Sequence, residues 1–285
     1  MRRSLYTTFI ACGLLSAGMV QAQTNSCSQN TVVGTYVLSY QGTAIIPPPG
    51  ATTPVPIPAA GVGIVSIDHL GAITSTAYQT IGGQATLGSM PGSIVVNPDC
   101  TGTVYWTGDG AATVNILNDG AEINSMMVKF GMPMVVYGTW KRITPNAVLP
   151  ACSLDTIAGR YAYRIYGSVI TIPQGSTQAI AVPEAHIGTG SIANDGTTAA
   201  TGTTSSAGTV IGYQLAGNTT VNPDCTFTMA LNLSVGGTKL GSTSVWGIAL
   251  PGHNQLIGIP TTGATGVPVE IGIWTRLSPM PEEMF

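Results

Sequence analysis

The feature of this chain that most narrows its possible folds is a long internal repeat that ends in an identical pentapeptide. Laying the chain on itself at an offset of 125 positions sets Cys27 on Cys152, Gly34 on Gly159, Tyr36 on Tyr161, Gly42 on Gly167, Pro58 on Pro183 and Gly71 on Gly196. The register runs without a gap to Val96-Asn97-Pro98-Asp99-Cys100 and its twin Val221-Asn222-Pro223-Asp224-Cys225. It resumes at Gly138-Thr139-Trp140-Lys141-Arg142 and Gly272-Ile273-Trp274-Thr275-Arg276, now at an offset of 134. The second copy therefore carries nine extra residues after its second cysteine, expected in the Gly- and Thr-rich stretch from Thr261 to Gly266. A unit of this length is a whole domain and not a solenoid element. The chain reads as one domain written twice, at 23–144 and 151–278, with a proline-bracketed linker at 145–150 and a tail at 279–285.

Within each copy the pattern is that of strands. Runs such as Thr31 to Tyr40, Gly61 to Ile67, Thr101 to Trp106, Thr113 to Leu117, Ile123 to Phe130 and Met134 to Trp140 are separated by Gly108-Asp109-Gly110 and Asn118-Asp119-Gly120. Those are turn residues, because glycine and Asx tolerate the left-handed backbone that tight hairpins need. No stretch beyond the first 22 residues keeps a helical period for three turns. The expectation is all-β: two tandem antiparallel β-barrels, or barrel-like sandwiches.

Residues 1–22 read as a secretory signal, with Arg2 and Arg3 ahead of an apolar run and Val20-Gln21-Ala22 as the cleavage site. Export places the protein in the periplasm or outside the cell and removes Cys12. Four cysteines remain, Cys27, Cys100, Cys152 and Cys225, an even number in an oxidising compartment. The equal spacing within each copy favours Cys27 with Cys100 and Cys152 with Cys225, and pairings between copies leave the duplication unexplained. Closing a loop of that length contributes about 4 kcal/mol by chain entropy.

Composition narrows the partners. Without Arg2 and Arg3, seven basic residues face twelve acidic ones, a balance that excludes a nucleic-acid surface. The leader's apolar run is too short and interrupted to span a bilayer, and Pro279 to Met284 cannot form the last strand of a membrane barrel.

Three features together, Gly34-Thr35-Tyr36 after the first cysteine, the cysteine-centred turn Val96 to Thr103 and the late Gly-x-Trp-x-Arg, resemble a group of secreted bacterial β-barrel domains of the calycin and allene-oxide-cyclase type. The resemblance implies an eight-stranded antiparallel barrel with a cavity in each copy. The second copy departs from it at Arg160, in place of Thr35, and at Phe227, in place of Gly102.

Catalytic chemistry finds little footing. Nucleophilic catalysis needs a base beside a nucleophile, and His69, His186 and His253 read as exposed turn residues. Their wide spacing gives no metal motif, so neither metal nor cofactor is expected. Asp109, Asp119 and Glu122 suit hairpin turns better than a calcium loop, and Asp68 joins them as the sparse acids available for glycoside hydrolysis. Asp99 and Asp224 read as caps of their own turns. Trp140 with Arg142, and Trp274 with Arg276, lie two apart on one strand face and suit either a cation on a ring or a ligand contact. Met126 and Phe130, in a methionine-rich stretch, suit an apolar pocket. The proline-rich segments Ile45–Pro58 and Thr171–Pro183 are expected as ordered loops over a barrel mouth or against the twin copy. The functional expectation is a non-enzymatic binding module for a small apolar ligand, its two repeats packing on each other. The alternatives are a cyclase- or isomerase-type barrel enzyme and a structural or adhesive surface module.

Overall fold

Alternation of inward apolar with outward polar residues governs the strands, and mostly short turns return nearly all of them beside the strand before. In a computed structural model of the 285-residue chain the described residues are 26–47, 53–129, 131, 133–144, 151–175, 179–250, 252, 254–263 and 266–278. The expected signal, linker and tail lie outside them.

The first copy contributes β1 (Gly34–Ile46), β2 (Val55–Ile67), β3 (Ala72–Ile81), β4 (Gln84–Ser89), β5 (Gly92–Val96), β6 (Thr101–Trp106), β7 (Gly110–Leu117), β8 (Glu122–Lys129) and β9 (Met134–Thr144). They form one antiparallel sheet that closes through the pairing of β2 with β3. In the second copy α1 (Leu154–Ile157) precedes β10 (Gly159–Thr171), β11 (Ile180–Ile192), β12 (Thr197–Ser206), β13 (Thr209–Val221), β14 (Thr226–Val235), β15 (Thr238–Ala249), β16 (Gln255–Thr262) and β17 (Val267–Ser278), a closed eight-stranded barrel. The extra strand of the first copy is an interruption: β4 and β5 correspond to the single β13. Pro91 offers no N–H to a ladder, and Ser75 Oγ stands in by donating to Met90 O (2.6 Å) and accepting from Met90 N–H (3.2 Å).

Each copy is closed by its own disulfide, Cys27–Cys100 and Cys152–Cys225, with Cα atoms 4.9 Å apart in both. The second cysteine of each pair sits at positive φ, 64° and 66°. The turn that holds it there is the same in both copies. Asp99 Oδ1 accepts from Thr101 N–H (3.0 Å) and Thr101 Oγ1 (2.7 Å), and Asp224 holds Thr226 with the same two distances.

Two expectations are corrected. The proline-rich segments are strand at both ends: β1 pairs with β2 out to Ile46 and Val55, and β10 with β11 out to Thr171 and Ile180. Pro58 and Pro183 are tolerated because each lies just beyond the ladder on its other edge, which begins at Ala59 and at Glu184. The extra residues of the second copy are also not where they were expected. Ile116 N–H bonds Cys100 O and Ala249 N–H bonds Cys225 O, so the offset has already reached 133 on the return strand. Eight of the nine residues lengthen the β14–β15 hairpin, which turns at Gly236-Gly237 where the first copy turns at Thr107 to Asp109.

One end of each barrel is shut by a short turn, Gln29–Val32 in the first copy and α1 in the second. Tyr36 Oη donates to Val32 O (3.0 Å), and Tyr161 Oη to Ile157 O. Arg142 bonds Tyr36 Oη and Thr31 O, while Arg276 donates to Thr156 O (2.9 Å) and Ala158 O (2.7 Å). Outside the barrels a third apolar cluster joins them: Ala60 and Val62 of β2 pack with Ile248, Ile259, Val269 and Ile271 of the second copy. Each valine or isoleucine buried there contributes about 1.5–3 kcal/mol. Tyr78 and Trp246 stack across the same contact, centroids 5.5 Å apart. No helix among the described residues is long and apolar enough to cross a membrane.

Candidate functional site

The two barrels share a framework and differ in what fills it. The first encloses about 70 Å³, lined by Leu38, Tyr40, Trp106, Met127 and Trp140 among others. The second holds a cavity of about 480 Å³ that runs from Trp274 and Met229 up to Thr171, Ser206, Val235 and Gly263. The cause lies in equivalent inward positions. Tyr40 and Trp106, whose rings fill the middle of the first barrel, become Ile165 and Leu231. Phe227, which replaces Gly102, is fully buried and meets Trp274 edge-on at 6.4 Å. The lengthened β14–β15 hairpin adds Val235, Leu240 and Thr243 to the wall.

Strand alternation then places Glu184 and His186 of β11 on one inward face, with Glu270 of β17 close by. His186 Nε2 lies 3.4 Å from Glu184 Oε1 and 3.3 Å from Glu270 Oε1. These are ion-pair separations, longer than a good hydrogen bond. Glu184 Oε1 also accepts from Thr204 Oγ1 (2.8 Å). Glu270 is 4% exposed, and its Oε1 and His186 Nδ1 are buried without a hydrogen-bond partner. Tyr213 meets the imidazole edge-on at 5.6 Å and receives a hydrogen bond from Tyr163 Oη at 3.0 Å. His186 is the one basic side chain among the described residues that line the cavity. In the first copy the same three positions are Ala59, Gly61 and Val136.

Burial lowers the proton affinity of His186, but the contact with Glu270 and the charges of Glu270 and Glu184 outweigh it, leaving the imidazole above its ordinary value. Burial raises Glu270 despite the opposing histidine, with Glu184 adding to the rise. His186 and Glu270 thus both hold a proton more tightly than usual. Burial, then Tyr163 and the two carboxylates, drive Tyr213 well above the ordinary phenol range, so at neutral pH it is a protonated hydroxyl.

The residues singled out from sequence fall into distinct places. Trp274 lines the cavity floor, whereas Trp140 is buried in the filled barrel and donates from Nε1 to Ser125 Oγ (3.0 Å). Arg142 and Arg276 lie over the rings of Tyr36 and Tyr161, not over the tryptophans, and brace the closed ends. Met126 is 54% exposed and faces outward, while its neighbour Met127 faces in. Phe130 lies outside the described residues, as does His253. His69 is exposed in a turn as expected. His186 is not: it sits in mid-strand with its side chain 17% exposed inside the lumen. The signal that marks it is the spacing Glu184-x-His186, which puts two ligating groups on one strand face exactly where the twin copy has only Ala59-x-Gly61.

No family model matches the chain, and no curated protein does. Among solved structures, a point mutant of the vaccine antigen transferrin binding protein B from Haemophilus parasuis Hp5 is similar over 84% of this chain and 74% of that one, at 8% identity and a TM-score of 0.26. A double mutant of the Rh. blastica porin is similar over 85% of this chain and 97% of that one, at 10% identity and a TM-score of 0.19. The calycin-type assignment therefore rests on the sequence motifs alone, while the two disulfide-closed barrels stand on the structure.

Proposed function

We propose that this chain is an exported, non-enzymatic binding module whose second barrel holds a small, largely apolar molecule. One observation carries the reading: the same framework is nearly filled in the first copy, with about 70 Å³ left, and hollow in the second, with about 480 Å³. Small-molecule sites are concave, about 300–1,000 Å³ in volume, with apolar walls and a few convergent polar groups. A cavity of about 480 Å³ walled by Ile165, Leu215, Leu231 and Trp274, with Glu184, His186 and Glu270 on its wall, has those properties. Its polar groups suit one hydrogen-bonding or cationic substituent on the ligand, and its walls suit the rest. Two closed disulfides fit a compartment that keeps thiols oxidised, which supports export.

The filled first copy acts in this reading as a packed support, joined to the second by apolar contact across β2. The test is native mass spectrometry, with solvent extraction, of the protein purified from the cells that make it. A discrete small molecule that leaves on denaturation is the expected result. A ligand-free mass, together with no uptake of hydrophobic probes, would overturn the reading.

A further inference from the structure

We propose that Glu184, His186 and Glu270 form a site for one divalent transition-metal ion of the zinc class, with an open coordination position facing the lumen. The inference rests on these three side chains and not on the ligand reading above. Their geometry is the first argument. Four-coordinate zinc bonds nitrogen and oxygen at about 2.0–2.1 Å, so neighbouring ligand atoms around it lie about 3.3 Å apart. Here Nε2 stands 3.4 Å and 3.3 Å from the two carboxylate oxygens, and one ligand atom from each residue can be chosen so that all lie within 4.8 Å of one another.

Charge is the second argument. Two carboxylates face each other in a lumen whose described lining has no lysine or arginine. A doubly charged ion with a neutral imidazole balances both, whereas a protonated imidazole balances one. The third argument is that buried Glu270 Oε1 makes an ion-pair contact with His186 Nε2 but no hydrogen bond, an arrangement that costs free energy and that a bound cation would relieve. Imidazole with two carboxylates suits zinc, copper, nickel or iron, while calcium and magnesium want more oxygens than this cluster offers. With three protein ligands and a cavity beyond, the ion keeps a position for water or for a ligand's donor atom, as open zinc sites do.

The test uses the full mature chain without an affinity tag, stripped with chelator and titrated with Co²⁺. The expected result is one Co²⁺ per chain, with the intense visible absorption of a four-coordinate ion, displaced by Zn²⁺. His186→Gln and Glu270→Gln should each weaken binding roughly 100-fold or more, since even outer partners of a metal ligand are worth 10–100-fold. His69→Gln should leave it unchanged. Circular dichroism reports whether each variant keeps its barrels, and if the Glu270 variant does not, Glu184→Gln replaces it. Absence of the spectrum, or a spectrum that survives these variants, overturns the inference. A protein that takes up apolar probes but no cobalt ends the metal site and leaves the binding reading standing. Cobalt uptake with no probe uptake does the reverse.

Discussion

Tyr40 lies directly across the β1–β2 ladder from Gly61, and a β-carbon at Gly61 would collide with the tyrosine ring. The equivalent pair across β10–β11 is Ile165 and His186. In one copy the large side chain comes from the first strand and the second strand yields; in the other the first strand yields and a histidine enters. The exchange changes which strand fills the space, while Trp106 becoming Leu231 and the longer β14–β15 hairpin separate the filled barrel from the hollow one.

The exchange gives a coupled pair of variants. Ile165→Tyr alone should be destabilising by about 1–3 kcal/mol, because the ring meets His186. Adding His186→Gly, the combination found in the first copy, should recover most of that loss. Denaturant unfolding of the four proteins of the cycle measures the coupling, and additive effects would contradict the shared-space argument.

In the filled barrel, Trp140 is 1% exposed and packs on Trp106 with centroids 5.9 Å apart. Trp140→Ala should cost about 3–5 kcal/mol, the usual toll for removing a buried aromatic. A loss under 1 kcal/mol would mean that the first barrel is not packed as described.

The disulfides stabilise by restricting the unfolded chain. Replacing Cys27 and Cys100 together by alanine should remove about 2–5 kcal/mol, and the same change at Cys152 and Cys225 a similar amount. Non-reducing peptide mapping should find only the Cys27–Cys100 and Cys152–Cys225 linkages.

Two turn carboxylates predict the acid limb of stability. Thr101 holds Asp99 below its ordinary pKa through its hydroxyl and backbone N–H, and Thr197 holds Asp195 down through its backbone N–H and then its hydroxyl. A carboxyl with a depressed folded-state pKa contributes stability that is present above its unfolded value, near 3.8, and is lost as pH falls through the folded one. Asp99→Asn and Asp195→Asn should therefore lower stability modestly near pH 7, where the charged form contributes, and flatten its loss below about pH 4, as thermal melts across pH would show.

Much of the architecture was legible because the chain states it twice. The repeat register, the Asn-Pro-Asp-Cys turns and the absence of helical periods pointed to two all-β units, each with its own disulfide. The strands from Ala72 to Ser89 were less legible: they are rich in threonine and glutamine, and their alternation is faint. The proline segments misled because a proline at the end of one ladder can still pair along its other edge, as Pro58 does. The candidate site was missed for a related reason. Glu184, His186 and Glu270 form no compact motif, because β11 and β17 are distant in sequence and meet only through β10. Comparing the copies for what one gains, in place of what both share, would have exposed them.

The central claim is that the second barrel is a container and the first is not. The most direct measurement is the stoichiometry and affinity with which the mature chain takes up a hydrophobic fluorescent probe, followed by fluorescence and native mass spectrometry. The account predicts one probe per chain in the wild type and much weaker uptake in a Leu231→Trp variant, which puts into the second lumen the indole that Trp106 puts into the first. Undiminished uptake in that variant, or no uptake by the wild type, would contradict it.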